Sequence, residues 1–172
     1  MDSRRASFEA LAMPHLDSAY TLARWLSRSP VDADDIVQEA MLRAFRAFDG
    51  VRAETIKPWL MAIVRNCFRD HATKAKRVQP LEDDHVRTLA VDAPDPENQA
   101  VWAGERRRLD EMLACLPPDF REALVLREVE EMSYREIAEA IGAPIGTVMS
   151  RIARARALLK DQWNEGGARA VP

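Results

Sequence analysis

Apolar residues recur along this chain at three- and four-residue spacing, the period of a helix that buries one face. From Phe8 to Leu26 the stripe is Leu11, Leu16, Ala19, Leu22, Ala23 and Leu26, and Pro14 falls inside it. A proline there removes one helical hydrogen bond and clashes with the preceding turn, so a bend or restart is expected. Ser29-Pro30-Val31-Asp32 reads as a turn, with Asp32 as the expected N-cap of a second long helix. Its stripe is Ile36, Val37, Ala40, Met41, Ala44, Phe45 and Phe48, and Asp49-Gly50 closes it. Pro58 suits the first turn of a third helix. There Trp59, Leu60, Ile63, Val64, Cys67 and Phe68 are expected inside, and Arg65, Arg69, His71, Lys74 and Lys76 outside. No run of alternating β-branched residues bounded by hairpin turns occurs, so the expected fold class is all-α.

The stretch 79–98 breaks the pattern. It holds Pro80, Pro94 and Pro96, many carboxylates and few large apolar residues, which is the composition of a flexible linker. The expected division is therefore a helical domain over 1–78, a linker over 79–98, a second domain over 99–165 and a loose tail over 166–172. In the second domain Trp102, Leu109, Met112, Leu113 and Leu116 mark one helix, stopped by Pro117-Pro118. Asp119 is the expected cap of the next, with Ala123, Leu124, Leu126 and Val129 as its stripe.

Ser133 followed three residues later by Glu136 is a capping box, opening a short helix with Ile137, Ala138 and Ile141. Gly142 then permits a left-handed turn, and a last helix from Ile145 to about Trp163 carries Val148, Ile152, Ala155 and Leu159 on its inner side. A short capped helix, a glycine turn and a second helix make a helix-turn-helix, whose second helix lies in the DNA major groove with its N-terminal residues toward the bases. Ser150, Arg151 and Arg154 are spaced to share its outer side.

Charge adds a division of labour. The net charge is only −3, but acids gather at Asp32, Asp34, Asp35 and Glu39, while Arg151, Arg154, Arg156 and Lys160 lie in a stretch from Ile145 to Lys160 with no acid. One face thus suits a basic protein partner and another a polyanion. Cys67 and Cys115 are far apart, as are His15, His71 and His85, so no metal site and no cofactor are expected; both cysteines read as small buried hydrophobes. No apolar run approaches the roughly 20 residues of a membrane span, and Arg4 and Arg5 have no apolar core behind them, so a cytoplasmic protein without membrane insertion is expected.

The segments Leu116-Pro117-Pro118-Asp119-Phe120-Arg121-Glu122-Ala123, Met132 to Ala138 and Gly142 to Arg156 resemble region 4 of the extracytoplasmic-function (group IV) sigma factors. Independently, Asp32 to Ala40 resembles the region 2 signature of that family, and Pro58 to Asn66 the stretch that follows it. Three motifs occur in order over roughly residues 8 to 162. The resemblance implies a transcription initiation factor that brings core RNA polymerase to promoter DNA, contacts its β′ clamp helices and β flap, and is held in check by an anti-sigma factor.

Carried over residue by residue, the resemblance assigns Asp34, Asp35, Gln38 and Glu39 to the polymerase. It assigns Ala47, Val51, Ile63 and Asn66 to a pocket for a flipped −10 base, and Arg65, Arg69, Lys74 and Lys76 to phosphates of that strand. In the helix-turn-helix, Ser150, Ala153 and Arg154 would face −35 bases, with Thr147, Arg151 and Arg156 on phosphates. Met149 departs from the family pattern, where Lys or Arg usually stands, which removes one contact.

Two other readings compete. A stand-alone helix-turn-helix regulator shares the last two helices but leaves the acidic helix and the Trp59 to Asn66 segment unexplained. An enzyme would need a Gly-rich phosphate loop or a nucleophile–base pair, and the sequence contains neither.

Overall fold

The computed structural model describes residues 2–49, 51–78 and 99–168. These form eight α-helices and two single 3₁₀ turns: α1 (Asp2–Ala12), a 3₁₀ turn (Met13–His15), α2 (Leu16–Ser27), α3 (Pro30–Ala47), a second 3₁₀ turn (Ala53–Thr55), α4 (Ile56–Val78), α5 (Gln99–Cys115), α6 (Pro118–Glu128), α7 (Tyr134–Ile141) and α8 (Ile145–Ala168). No strand occurs among the described residues, so the class is all-α as the periodicity predicts. The expected linker at 79–98 lies outside the described residues, as does Gly50.

The break at Pro14 is real: the tighter turn Met13–His15 carries it, and α2 restarts at Leu16. The first helix begins earlier than the apolar stripe announces, because Arg4 anchors it. Its guanidinium donates from Nε to the Phe48 carbonyl at 3.1 Å, and from Nη2 to the carbonyls of Phe45 (3.1 Å) and Arg46 (3.0 Å). A cation against the open carbonyls at the end of α3 suits the negative end of that helix dipole. Phe8 packs edge-on against Phe45 and Phe48, with both centroids at 5.3 Å.

Several cap assignments shift. Ser29, not Asp32, caps α3: its hydroxyl accepts from the Asp32 N–H at 3.3 Å, and Pro30 takes the first helical position. Pro30, suited to the first helical position and two residues before Asp32, moves the cap upstream. Asp119 does not cap α6; Pro117 stands there without a side-chain bond, and Asp119 lies in the first turn. Val129 and Leu109 are exposed rather than inward, and Cys115, at the end of α5, is exposed while Cys67 is buried. Helix α8 runs past Gly166 and Gly167 to Ala168, further than the expected end near Trp163 and into the stretch expected to be a loose tail.

The two halves are packed together. Helix α2 lies on α6 and α4 on α7, and the buried apolar residues from Phe8 to Cys67 and from Leu113 to Ala155 form one continuous cluster. Met61, absent from the expected inward set, is fully buried because α4 is covered both by α2 and α3 and by α7. All six residues Arg121, Glu122, Ala123, Leu124, Val125 and Leu126 are buried. One helix face holds no more than a few of six consecutive residues, so α6 is enclosed on all sides along 121–126, its charged residues there included.

Candidate nucleic-acid and partner interfaces

The helix-turn-helix is built by local chemistry. The Glu136 N–H donates to Ser133 Oγ at 3.2 Å, and Glu136 Oε2 accepts the Ser133 N–H at 2.8 Å, closing the capping box. Those bonds favour the charged carboxylate and hold Glu136 below the usual range. Gly142 ends α7 with φ of 65°, the left-handed conformation that glycine adopts without cost. Arg127 braces the approach, stacked 4.9 Å from the Tyr134 ring and donating to the Met132 carbonyl at 2.8 Å.

Burial of Val148, Ile152 and Ala155 then fixes the roll of α8. It leaves Ser150, Ala153 and Arg154 exposed, and Thr147 half-buried at the helix start. Arg154 has no ion-pair partner among the described residues. Met149 is exposed as well. Arg151 differs: its Nη2 lies 2.8 Å from Asp119 Oδ2, and its side chain is 22% exposed. Arg156 is exposed and paired with Glu128 of α6, its Nε donating to Glu128 Oε1 at 3.1 Å. Arg151 and Arg154, spaced to share one outer side, therefore split: Arg154 is free to approach a groove, while Arg151, like Arg156, is tied to α6.

On α3, Asp34, Asp35 and Gln38 are exposed, as their placement outside the apolar stripe requires. Glu39 is half-exposed and bound to Arg43, whose Nη1 also meets Asp70 at 2.6 Å; the Arg43 bond holds Glu39 below the ordinary carboxylate range. Beside Gln38 opens an apolar groove of about 650 Å³ between α1 and α3. Met13, Leu42 and Phe45, all substantially exposed, line it with Phe8 and Met41, and Arg5 and Glu9 stand at its rim. The periodicity hides this surface, because Phe45 reads as core.

Of the four residues expected to form a base pocket, Val51 is the one that lines the cavity at the start of α4. That cavity is about 290 Å³, and its other walls are Thr55, Pro58, Trp59, Ala62 and, from α7, Glu139. Ile63 is partly buried, and Ala47 and Asn66 are exposed outside it.

The basic side of α4 also differs from the expected outward face. Arg65 is only 12% exposed, with its Nε 2.7 Å from Glu122 Oε1, which is 4% exposed. Burial raises the Glu122 carboxyl above its ordinary range despite the Arg65 charge. Arg69 lies 3.9 Å from Asp119, and Lys74 is exposed. Lys76 is part of α4, but its side chain lies outside the description. Lys57, which the sequence reading passed over, donates to the Glu130 carbonyl at 2.7 Å and pairs with its carboxylate at 3.2 Å. No cluster of His, Cys, Asp and Glu able to hold a metal occurs among the described residues, and none of their helices is long and apolar enough to cross a membrane.

A helical module with an acidic, groove-bearing helix, followed by a helix-turn-helix module, defines a class of two-part DNA-recognition proteins. Comparison with known families places both parts: residues 11–78 match Sigma-70 region 2, and residues 106–159 match Sigma-70, region 4. The chain is 37% identical over 159 residues to the ECF RNA polymerase sigma factor SigE of Mycolicibacterium smegmatis, covering 90% of this chain but 61% of that relative. It thus spans less than two thirds of the mycobacterial protein. It is 35% identical over 150 residues to the ECF RNA polymerase sigma-E factor of Haemophilus influenzae, covering 82% of this chain and 78% of the relative. Among solved structures it resembles the sigma factor RpoE in complex with the anti-sigma factor NepR from Bartonella quintana, with TM-score 0.70, 26% identity and coverage of 92% and 97%. It also resembles CnrH in complex with the cytosolic domain of CnrY, with TM-score 0.67, 25% identity and coverage of 94% and 90%. The chain belongs to the ECF group of the sigma-70 family of RNA polymerase sigma factors.

Proposed function

We propose that this chain directs promoter-specific transcription initiation in the cytoplasm, binding core RNA polymerase, recognising −35 and −10 elements and assisting strand opening. The observation that carries this reading is the conjunction of regions 2 and 4 on one chain with an exposed Ser150, Ala153 and Arg154 face on the second helix of the helix-turn-helix. Catalysis stays with the polymerase; this chain supplies the address.

Within that reading, Asp34, Asp35, Gln38 and Glu39 meet the β′ clamp helices, and the neighbouring groove offers apolar area to the same partner. Exposed carboxylates set beside an apolar floor give both steering and burial. Arg154 reads the −35 major groove, with Thr147, Arg151 and Arg156 on the flanking phosphates. On the −10 side, Asn66 and Ile63 with Val51 and Ala47 take an unstacked base, and Arg65, Arg69, Lys74 and Lys76 follow the strand. An anti-sigma factor is the expected regulator, in keeping with the partners of the two solved relatives.

The test is run-off transcription with purified core polymerase and a library of promoters. Specific transcripts that appear only when the chain is added support the proposal and give the −35 and −10 preferences together. Tight, sequence-specific binding to duplex DNA without polymerase, and no transcript with it, would instead mark a stand-alone regulator.

A further inference from the structure

The exposed residues at the start of α8 fall into two rows. Gly146, Ser150 and Arg154 form one, and Ile145, Met149 and Ala153 form the other. Within each row the residues stand four apart, so they lie one helical turn above another. The first row ends on the guanidinium assigned to −35 bases. The second is wholly apolar, and its two large members, Ile145 and Met149, are 45% and 51% exposed.

The polar row is poorer in donors than its composition suggests. The Ser150 hydroxyl donates to the Thr147 carbonyl at 2.9 Å, which leaves Ser150 as an acceptor. Of these six residues, Arg154 is therefore the one whose side chain is left to donate to a base edge. The N-terminal part of a recognition helix meets the bases, and here it presents Ile145 and Met149. Neither side chain can donate to a ring nitrogen or a carbonyl of a base. The apolar feature that a base pair offers in the major groove is the C5 methyl group of thymine. We propose that Ile145 and Met149 determine specificity at −35 by taking thymine C5 methyl groups, in base pairs beside those that Ser150 and Arg154 meet.

The two side chains suit that task differently. Isoleucine is stiff at its first torsion and gives a fixed wall. Methionine is flexible and polarizable, so it adapts to a methyl surface. Met149 stands where the family usually has lysine or arginine, and the exchange replaces a donor by apolar area. Contact with methyl groups would also take out of water apolar surface that the fold leaves exposed. The surroundings favour DNA over a protein as the partner, because no acid occurs from Ile145 to Lys160.

This inference rests on the −35 reading of α8, and the experiment separates the two. Core polymerase loaded with the full chain is equilibrated with duplexes randomised over the −35 element, and the bound fraction is sequenced. Wild type should enrich thymine next to the position at which Arg154→Ala relaxes the choice. The selected duplex is then made with thymine or with uracil, which pairs alike but lacks the methyl group. The thymine form should bind about fourfold tighter for each methyl contacted, the effect of burying one such carbon. Ile145→Ala together with Met149→Ala should bring that ratio to one. Met149→Lys, which restores a donor, should replace the thymine preference with one for guanine. Both positions are exposed, so these variants should melt as wild type does.

A ratio near one in wild type, or a ratio that the double variant leaves unchanged, overturns the proposal. So does a loss in the double variant that is equal for the two duplexes, which would assign the apolar row to the polymerase. Arg154→Ala tests the underlying reading apart from the methyl groups: it should weaken both duplexes equally and leave their ratio alone. No loss on either duplex removes Arg154 from the −35 contact, whereas a loss with a wild-type ratio near one sinks the methyl reading alone.

Discussion

The Arg151 guanidinium lies 2.8 Å from the Asp119 carboxylate, bridging the second helix of the helix-turn-helix to the start of α6. Only three residues further on, Arg154 projects into solvent without such a tie. Two arginines with the same apparent spacing toward DNA therefore have different duties, and substitutions should separate them. Arg154→Ala is expected to weaken −35 recognition by about 1–3 kcal/mol, with no change in melting temperature. Arg151→Ala, which removes a phosphate contact rather than a base contact, should cost less affinity but should also lower stability slightly, by about 0.2–1 kcal/mol, because Asp119 is half-exposed and water screens the pair. Holoenzyme binding to a −35 duplex, alongside thermal melts of the free chain, checks both. A larger affinity loss for Arg151→Ala than for Arg154→Ala would reverse the assignment.

The capping box sets a second expectation. Ser133 and Glu136 satisfy each other's backbone N–H groups at the only entrance to α7, a helix of eight residues with little length to absorb fraying. Ser133→Ala should cost about 1 kcal/mol, read from chemical denaturation. Glu136 contributes through its charge. Its folded pKa is depressed, so its contribution is fully present above the unfolded value and is lost as pH falls through the folded one. Stability should therefore decline below about pH 4.3, the ordinary glutamate value, and Glu136→Gln should flatten that part of the profile. A profile identical to wild type would remove Glu136 from the cap.

Glycine substitutions on either side of the turn should have opposite signs. A Cβ at Gly142 or at Gly146 would meet nothing within 4 Å, so steric clash decides neither. Gly142 has φ of 65°, where an L side chain crowds its own carbonyl, and Gly142→Ala should cost about 1–2 kcal/mol. Gly146 sits in the first turn of α8 with ordinary helical backbone, and Gly146→Ala should gain up to about 0.5–1 kcal/mol. Equal effects in urea unfolding would contradict the conformational argument.

What the sequence disclosed tracks how local each feature is. The Ser133–Glu136 box, the Gly142 turn and the inward set Val148, Ile152 and Ala155 are fixed within a few residues, and all are found where the spacing puts them. Cap positions slipped by a few residues where two candidates competed: Ser29 with Pro30 outweighs Asp32, and Pro117 displaces Asp119. The fate of Arg65 was not legible. Periodicity places it on the outer side of α4, and only the packing of α6 against region 2, which no local pattern encodes, brings Glu122 to it. The same holds for Phe45 and Leu42, which helical spacing cannot assign to a groove wall rather than to the core, because the outcome depends on where α1 stops covering α3.

The acidic helix gives the last prediction. Asp34, Asp35 and Gln38 are solvent-facing, and neither Asp34 nor Asp35 has a cation partner among the described residues, so their charge is available to a partner rather than used within the fold. Removing it should leave stability almost unchanged, within about 0.5 kcal/mol for an exposed position. Association with core polymerase should suffer mainly in its rate, since exposed charges steer encounter, and the effect should fade as salt shortens the Debye length from about 10 Å at 0.1 M toward 3 Å at 1 M. The groove behaves differently. Leu42→Ala or Phe45→Ala removes apolar contact area, so it should speed dissociation, and salt should alter that loss little. Surface plasmon resonance with immobilised core enzyme at two salt concentrations separates the two signatures. If Asp34→Asn with Asp35→Asn left the association rate untouched at low salt, this face of α3 would not be where the polymerase first meets the chain.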